Sequence, residues 1–109
     1  MFICTRDQAR LGLLFLRRGS WKGQQLISEE WIDALKVPSA ANPVYGYMWW
    51  LNTGRKSIPS APESVFYAAG FGGNYIYVDN ENDLVIAVRW VGNTRNLDGI
   101  VQRVLASFE

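Results

Sequence analysis

The segment with the most unusual composition is residues 69–74, which read AGFGGN, and Gly70, Gly72 and Gly73 interrupt an apolar strand pattern there. Glycine has no Cβ, so it permits positive φ and lets the atoms of a ligand approach main-chain amides closely. The chemistry this pattern favours is hydrogen bonding from backbone N–H groups to a ligand oxygen. A β-bulge or a tight connection between strands explains the same glycines equally well, so both interpretations stay open.

Two ligand-binding motifs resemble this segment without fitting it. A dinucleotide fingerprint needs a third glycine where Tyr75 stands, and it opens a helix, whereas this segment runs into a strand. An RNA-recognition motif shares the Gly-Phe-Gly core, but Ala69 replaces its basic residue and Gly73 its aromatic residue. We therefore discard the first and disfavour the second.

A possible calcium loop at Asp79, Glu81 and Asp83 also fails, because Leu84 occupies the position of the required glycine. These acids are typical of a solvated hairpin turn. We expect no metal and no cofactor to be bound.

The composition excludes several mechanisms and partners. The 109 residues contain no histidine, which removes Ser-His-Asp and Cys-His relays. Cys4 is the only cysteine, and with no histidine to activate it we expect a small buried residue. A net charge of +1 without charged blocks argues against nucleic acid as a partner.

The sequence shows neither a membrane span nor a targeting signal. No apolar run approaches the roughly 18 residues of a membrane span, and no signal peptide is recognisable. We therefore expect no membrane span, and the compartment stays open.

Three helices are predicted. A capping box from Thr5 to Gln8 starts the first at residues 6–18, and Gly19 is placed to end it. Ser28 is the N-cap of a short second helix that ends near Lys36. After Asn93, apolar residues three and four apart form one face of a closing helix; they are Leu97, Ile100, Val101, Val104, Leu105 and Phe108.

Four β-prone runs alternate with loop composition. The strands are predicted at residues 45–51, 65–70, 74–79 and 84–91, with a long loop at 52–64. The sequence therefore predicts an α+β fold: a four-stranded antiparallel sheet with two N-terminal helices and one C-terminal helix packed on it.

Two adjacent tryptophans lie in the first predicted strand. Neighbouring strand residues point to opposite faces, so one indole of Trp49 and Trp50 is expected in the core and the other on the opposite face. We take Trp49 as the candidate for a pocket wall. Core packing of both indoles is the alternative.

Five segments together resemble one family. They are TRDQARLGLL at 5–14, WKGQQLISEEW at 21–31, YGYMWW at 45–50, FYAAGFGGNYIYV at 66–78 and NDLVI at 82–86. In this order they are similar to the C-terminal third of the serine β-lactamase-related hydrolases, which include class C β-lactamases, penicillin-binding proteins, related esterases and 6-aminohexanoate-dimer hydrolase. The resemblance covers nearly the whole chain and implies one partial domain, residues 1–109.

The resemblance implies a Ser-x-x-Lys nucleophile, an assisting tyrosine and a third motif, often Lys-Thr-Gly or His-x-Gly, on a strand. Residues 1–109 contain no Ser-x-x-Lys, and the family's tyrosine element corresponds to a position before Met1. The third motif corresponds to residues 68–70, which are uncharged here and so favour a neutral ester or amide over a β-lactam carboxylate. The residue after its glycine, Phe71, is the implied backbone donor of an oxyanion hole.

Other residues near that donor are candidates for a wall of the substrate site. They are Ala68, Ala69, Gly70, Gly72, Gly73, Asn74 and Trp49.

Two functions are therefore expected. The first is a fragment of a serine hydrolase that is inactive alone, acts on a small ester or amide only in a complete domain, and has the missing N-terminal half of that domain as its partner. The second is a non-catalytic assembly module that oligomerises through an exposed sheet or helix face. Met1 does not decide whether the chain is a portion of a longer gene product.

Overall fold

The computed structural model describes residues 4–108, so Met1 lies outside the described part. The predicted α+β architecture is confirmed: within these residues, three helices accompany a four-stranded antiparallel sheet whose strands are neighbours in chain order. A separate two-stranded sheet lies between the first and second helices, with a tight turn at Lys22 and Gly23. In chain order the elements are α1 Thr5–Leu16, β1 Ser20–Trp21, β2 Gln24–Gln25, α2 Glu29–Leu35, β3 Trp50–Leu51, β4 Phe66–Gly70, β5 Asn74–Asp79, β6 Leu84–Val88 and α3 Thr94–Ala106, with a 3-10 turn at Thr53–Arg55.

The sheet separates two hydrophobic cores, because alternate residues of a strand face opposite sides. Phe66 of β4 packs with α1 and α2, whereas its neighbour Tyr67 packs with α3. The first core contains Phe15, Leu16, Ile32, Leu35, Trp49, Leu51, Phe66, Ile76 and Val78. The second contains Ile58, Ala61, Val65, Tyr67, Tyr75, Tyr77, Leu97 and Val101.

Helix α1 approaches the sheet most closely at Gly12. A Cβ there would lie 2.6 Å from Cγ1 of Val85 and 2.9 Å from Cγ2 of Ile76. Because real Cβ atoms do not come so near other carbons, the absence of a side chain at Gly12 sets the distance between α1 and strands β5 and β6.

The start of α1 differs from the prediction. Cys4 is the N-cap and its side chain makes no cap hydrogen bond, while Thr5 already lies inside the helix. The predicted capping box is therefore absent. Cys4 is exposed, with its Sγ donating to Asp7 at 3.1 Å, so the expectation of a buried cysteine was wrong.

The other helix boundaries follow their signals more closely. Gly19 has φ +86° just beyond the end of α1, which itself ends two residues earlier than predicted. The Ser28 hydroxyl accepts from the amide of Trp31 at 3.2 Å, and the Asn93 side chain accepts from that of Asn96 at 2.9 Å. Both caps stabilise the first turns of α2 and α3.

The aromatic run at residues 45–51 is not one strand. Only Trp50 and Leu51 belong to β3, because the chain turns back on itself: Tyr45 bridges Trp50, and the amide of Gly46 donates to the Trp49 carbonyl at 2.9 Å. A Cβ at Gly46 would lie 1.8 Å from the carbonyl oxygen of Leu35. The turn therefore packs directly on the end of α2.

Strand β6 and helix α3 are also shorter than the sequence predicted. Strand β6 ends at Val88, and Trp90 has φ +58°. Leu97 and Val101 are buried, but Phe108 lies beyond α3 and is exposed. No helix within residues 4–108 is long and apolar enough to cross a membrane.

Candidate functional site

The glycine-rich segment forms the tight turn that joins β4 to β5. Gly72 and Gly73 have φ of +88° and +82°, and the Gly73 amide donates to the Gly70 carbonyl at 3.1 Å. Because Gly70 pairs with Asn74, the connection is a three-residue hairpin loop, a type that commonly places glycine in the left-handed region. The predicted tight strand connection is therefore present, and it determines where the main chain of Phe71 is held.

The turn is packed against residues 90–92, which explains why its glycines lack side chains. A Cβ at Gly72 would lie 2.3 Å from Cζ3 of Trp90, and one at Gly73 would lie 2.2 Å from the amide nitrogen of Gly92. The two segments are also joined by backbone hydrogen bonds, from Val91 to Gly73 at 3.0 Å and from Gly92 to Gly72 at 3.2 Å.

Asn74 connects both parts of this structure through its side chain. Its Nδ2 donates to the Phe71 carbonyl at 2.7 Å, and its Oδ1 accepts from the Trp90 amide at 3.0 Å. One amide group thus supplies a donor to the turn and an acceptor to the supporting segment. Asn74 therefore constrains the peptide between Phe71 and Gly72. The preceding peptide, which contains the Phe71 N–H, is held by the bond from the Gly73 amide to the Gly70 carbonyl.

The main-chain N–H of Phe71 has no hydrogen-bond acceptor among residues 4–108. Its side chain is 96% exposed and contributes little to either core. An N–H group in this state is available to an external oxygen, which is the chemical property the sequence pattern suggested.

The outer edge of β4 next to Phe71 is open as well. Strand β3 pairs only with Phe66 and Tyr67, so no strand of the described chain pairs with residues 68–70 on that side. Unpaired strand edges offer main-chain donors and acceptors to extended partners. The free edge and the Phe71 amide therefore form one continuous backbone surface.

A cleft of about 410 Å³ lies beside this surface, between β3, β4 and the start of α3. Its described lining residues are Trp50, Tyr67, Ala69, Gly70, Phe71, Tyr75 and Thr94.

The floor of the cleft contains two buried tyrosines. The rings of Tyr67 and Tyr75 meet edge to face with centroids 6.0 Å apart. Burial, together with the neighbouring Tyr67, raises the pKa of Tyr75 above its ordinary value. The Tyr75 hydroxyl therefore stays neutral at physiological pH.

The structure brings only part of the predicted wall together. The cleft is lined by Ala69, Gly70 and Phe71. The next three residues, Gly72, Gly73 and Asn74, contact residues 90–92 instead. Ala68 packs against the opposite core. Trp49 is also buried on that opposite face, where its ring centroid lies 4.6 Å from that of Phe15 and 5.1 Å from that of Phe66.

Trp50 lies in the cleft where Trp49 was expected. Strand alternation predicted that the two indoles diverge, but the choice between them depends on the register of Trp50 opposite Tyr67. Tyr45 holds the Trp50 ring, edge to face, at a centroid distance of 4.7 Å. The sequence contains no local signal for that register.

A larger depression of about 710 Å³ lies elsewhere, between the loop before β4 and the β5–β6 turn. Its polar groups bond to each other or to the main chain: the Ser64 hydroxyl donates to Glu81 at 2.6 Å, and Arg55 donates to the Ala61 carbonyl at 2.9 Å. We therefore place the candidate site at Phe71. No cluster of acidic, cysteine or histidine side chains suited to a metal ion occurs within residues 4–108.

Comparisons with known proteins agree with this fold. No protein-family model and no curated protein matches the chain. Among solved structures, the chain is similar to a Bacillus anthracis protein provisionally named 6-aminohexanoate-dimer hydrolase, with 21% identity and a TM-score of 0.65. The match covers 95% of this chain but 28% of that protein. It shows that the chain has the fold of a part of a hydrolase-like protein.

Proposed function

We propose that this chain forms the oxyanion-stabilising wall of a serine-type ester or amide hydrolase, as one portion of a single β-lactamase-like domain. The unpaired Phe71 N–H, at the end of an open strand edge, is the observation that supports this most directly. The structural similarity to part of the B. anthracis protein also supports the proposal that the chain is one portion of a larger domain.

The proposed chemistry uses the main chain of Phe71. When a nucleophile attacks a carbonyl, negative charge develops on the oxygen, and a fixed N–H stabilises that charge more than it stabilises the substrate. One such donor contributes about 3 kcal/mol to the transition state. Its rigid support by Asn74 and by residues 90–92 reduces the reorganisation needed during reaction.

The chain by itself is proposed to be inactive. Residues 1–109 contain no Ser-x-x-Lys pair, and an oxyanion donor accelerates nothing without an attacking oxygen. The uncharged residues 68–70 favour a neutral ester or amide, because no cation stands there to bind a substrate carboxylate. The nucleophile would come from another segment of the same domain.

The first test is to sequence the DNA before Met1. An in-frame segment that encodes Ser-x-x-Lys is expected. In the protein expressed from the whole reading frame, Phe71→Pro removes the N–H and is expected to lower kcat by about 100- to 1,000-fold. Phe71→Ala keeps the N–H and should lose less than about tenfold, well short of that range.

Two results would oppose the proposal. One is equal activity of the Phe71→Pro and Phe71→Ala proteins. The other is hydrolysis of p-nitrophenyl esters by residues 1–109 alone at a rate that survives replacement of every serine.

A second candidate function is favoured by strand β6. We infer that the chain also self-associates, with β6 of one copy pairing antiparallel to β6 of another. Edge strands usually contain charges, prolines or bulges that prevent such pairing. Leu84–Val88 contains none of them, and no strand of residues 4–108 pairs with its outer side.

The charges that flank β6 suit this partner. In an antiparallel pair centred on Ile86, all five residues of each strand overlap, and Asp83 of one copy stands opposite Arg89 of the other. Opposite charges face each other at both ends of the pair, and cross-strand pairs of this kind contribute roughly 0.2–1 kcal/mol each.

Sedimentation of the purified chain tests this function. A dimer is expected at high micromolar concentration, and an Ala87→Pro variant should be monomeric. The main-chain N–H of Ala87 faces the outer side of β6, because its neighbour Ile86 is the residue whose N–H faces Tyr77 of β5, and proline removes that outward donor. A strictly monomeric native chain across that range would contradict self-association.

A further inference from the structure

We propose that the cleft next to Phe71 is a recognition site for a neutral aromatic ring, and that it selects the aromatic group of the ester or amide. This inference names the substrate class of the proposed hydrolase site and therefore rests on that proposed function. The observations that support it are the ring content of the cleft, its lack of charge and its position.

The lining is dominated by rings. Trp50, Tyr67, Phe71 and Tyr75 all contribute to one cleft of about 410 Å³. A flat aromatic ligand matches such walls better than an aliphatic one, because offset and edge-to-face ring contacts add about 0.5–1.5 kcal/mol beyond the area they bury.

Two of these rings are held in fixed positions before any ligand arrives. Tyr45 supports Trp50 at a centroid distance of 4.7 Å, and Tyr75 is only 6% exposed. Rigid walls lose little conformational entropy on binding. Phe71, in contrast, is 96% exposed and stands at the rim.

Charge decides what kind of ring the cleft accepts. None of the described lining residues is charged at neutral pH, so no carboxylate is present to attract an ammonium group. Thr94, the first residue of α3, places the positive end of a helix dipole at the cleft. That dipole disfavours a cation that the aromatic faces alone would attract.

The position of the cleft connects recognition with the proposed chemistry. Ala69 and Gly70 line it through β4, and Phe71 follows them directly in the chain. A ring bound beside Ala69 would therefore hold an attached carbonyl within reach of the Phe71 main chain. Because Ala69 has only a methyl group and Gly70 has no side chain, strand β4 leaves space for the ring and its carbonyl.

The test is a titration of the purified chain by NMR with three probes. Phenylacetamide is neutral and aromatic, cyclohexylacetamide has the same polar group without the ring system, and phenyltrimethylammonium has the ring with a positive charge. We expect phenylacetamide to shift the Trp50 indole and Ala69 amide signals and to bind about 2- to 10-fold more tightly than cyclohexylacetamide. The cation should bind more weakly than phenylacetamide.

Two variants locate the site. Ala69→Leu fills the cleft from an exposed strand position and leaves both cores intact, and Trp50→Ala removes one wall; each should abolish the shifts. Trp31→Ala and Ala106→Leu are the matched controls, since neither residue lines the cleft, and both should bind as the native chain does. If Trp50→Ala does not fold, Ala69→Leu decides.

Equal binding of the two amides, tighter binding of the cation, or shifts that persist in Ala69→Leu would each overturn the inference. This binding assay needs no turnover. Its failure is therefore distinct from failure of the proposed hydrolase function, which the Phe71→Pro measurement tests.

Discussion

The side-chain amide of Asn74 donates to the carbonyl of Phe71 at 2.7 Å, three residues earlier in the chain. This bond closes the β4–β5 turn, and the same side chain accepts the amide of Trp90 at 3.0 Å. The proposed oxyanion donor is the N–H of the same residue, so Asn74 fixes the peptide that follows this donor and also anchors the supporting segment.

Replacing Asn74 tests this support. Asn74→Ala removes two hydrogen bonds, each worth roughly 0.5–1.5 kcal/mol net, so the free energy of unfolding should fall by about 1–3 kcal/mol. Urea denaturation measures the change. Asn74→Asp keeps an acceptor for Trp90 but replaces the donor by an oxygen that faces the Phe71 carbonyl, so it should not restore the native stability. A loss below about 0.3 kcal/mol for Asn74→Ala would show that the turn does not depend on this side chain.

Replacing two helical glycines by alanine should change the stability of the protein in opposite directions. At Gly12 a new Cβ would lie 2.6 Å from Val85, and overpacking of this kind costs about 1–3 kcal/mol, which outweighs a gain in helix propensity of roughly 1 kcal/mol. At Gly99 the new Cβ would meet only Arg103 at 3.6 Å, so alanine should stabilise α3. Thermal unfolding of both variants measures the signs. Stabilisation by Gly12→Ala would contradict the close contact between α1 and β6.

The pattern of glycines predicted that the turn at residues 69–74 is special, but not why each glycine is needed. Gly72 and Gly73 avoid Trp90 and Gly92, which lie almost twenty residues away. Such contacts exist only after the sheet has formed, so local sequence cannot contain them. The cap at Ser28, by contrast, depends on a neighbour three residues away and was predicted correctly.

The prediction of one strand at residues 45–51 was wrong for the same physical reason, a contact with residues distant in sequence. β-Propensity favours an extended chain at residues 45–51, but the packing of Gly46 against the Leu35 carbonyl forces a turn there. Tertiary contact thus overrode local preference. The choice of Trp50 over Trp49 as a cleft residue depends on the same register, so the fold class was predictable while this part of the site was not.

The ion pair between Arg18 and Asp33 predicts a pH dependence of stability. The Arg18 guanidinium donates two hydrogen bonds to the Asp33 carboxylate, at 2.8 and 3.0 Å, and lowers the pKa of that carboxyl below its ordinary value. A lowered pKa in the folded state stabilises the protein above the unfolded pKa near 4, and this contribution is lost as the pH falls through the folded pKa.

Asp33→Asn should therefore lower Tm at pH 7 and have a diminishing effect as the pH drops below about 4. Thermal unfolding from pH 2 to 7 follows this difference. Glu30→Gln is the control for the loss of one negative charge, because Glu30 lies on the same helix while Arg18 pairs with Glu29 and Asp33. A Tm difference between Asp33→Asn and the native chain that stays constant across this range would contradict the ion pair.

A charge exchange across two copies tests the self-association inferred for β6. In the register centred on Ile86, Asp83→Lys and Arg89→Glu each place like charges opposite one another and should weaken the dimer, because like charges across strands are destabilising. The double variant Asp83→Lys, Arg89→Glu restores opposite charges between copies and should recover most of the affinity. The pair between Arg17 and Asp83 within one chain is lost in both Asp83 variants, so its loss does not explain a difference between them. Sedimentation equilibrium gives the dissociation constants, and a double variant no tighter than Asp83→Lys alone would exclude this register.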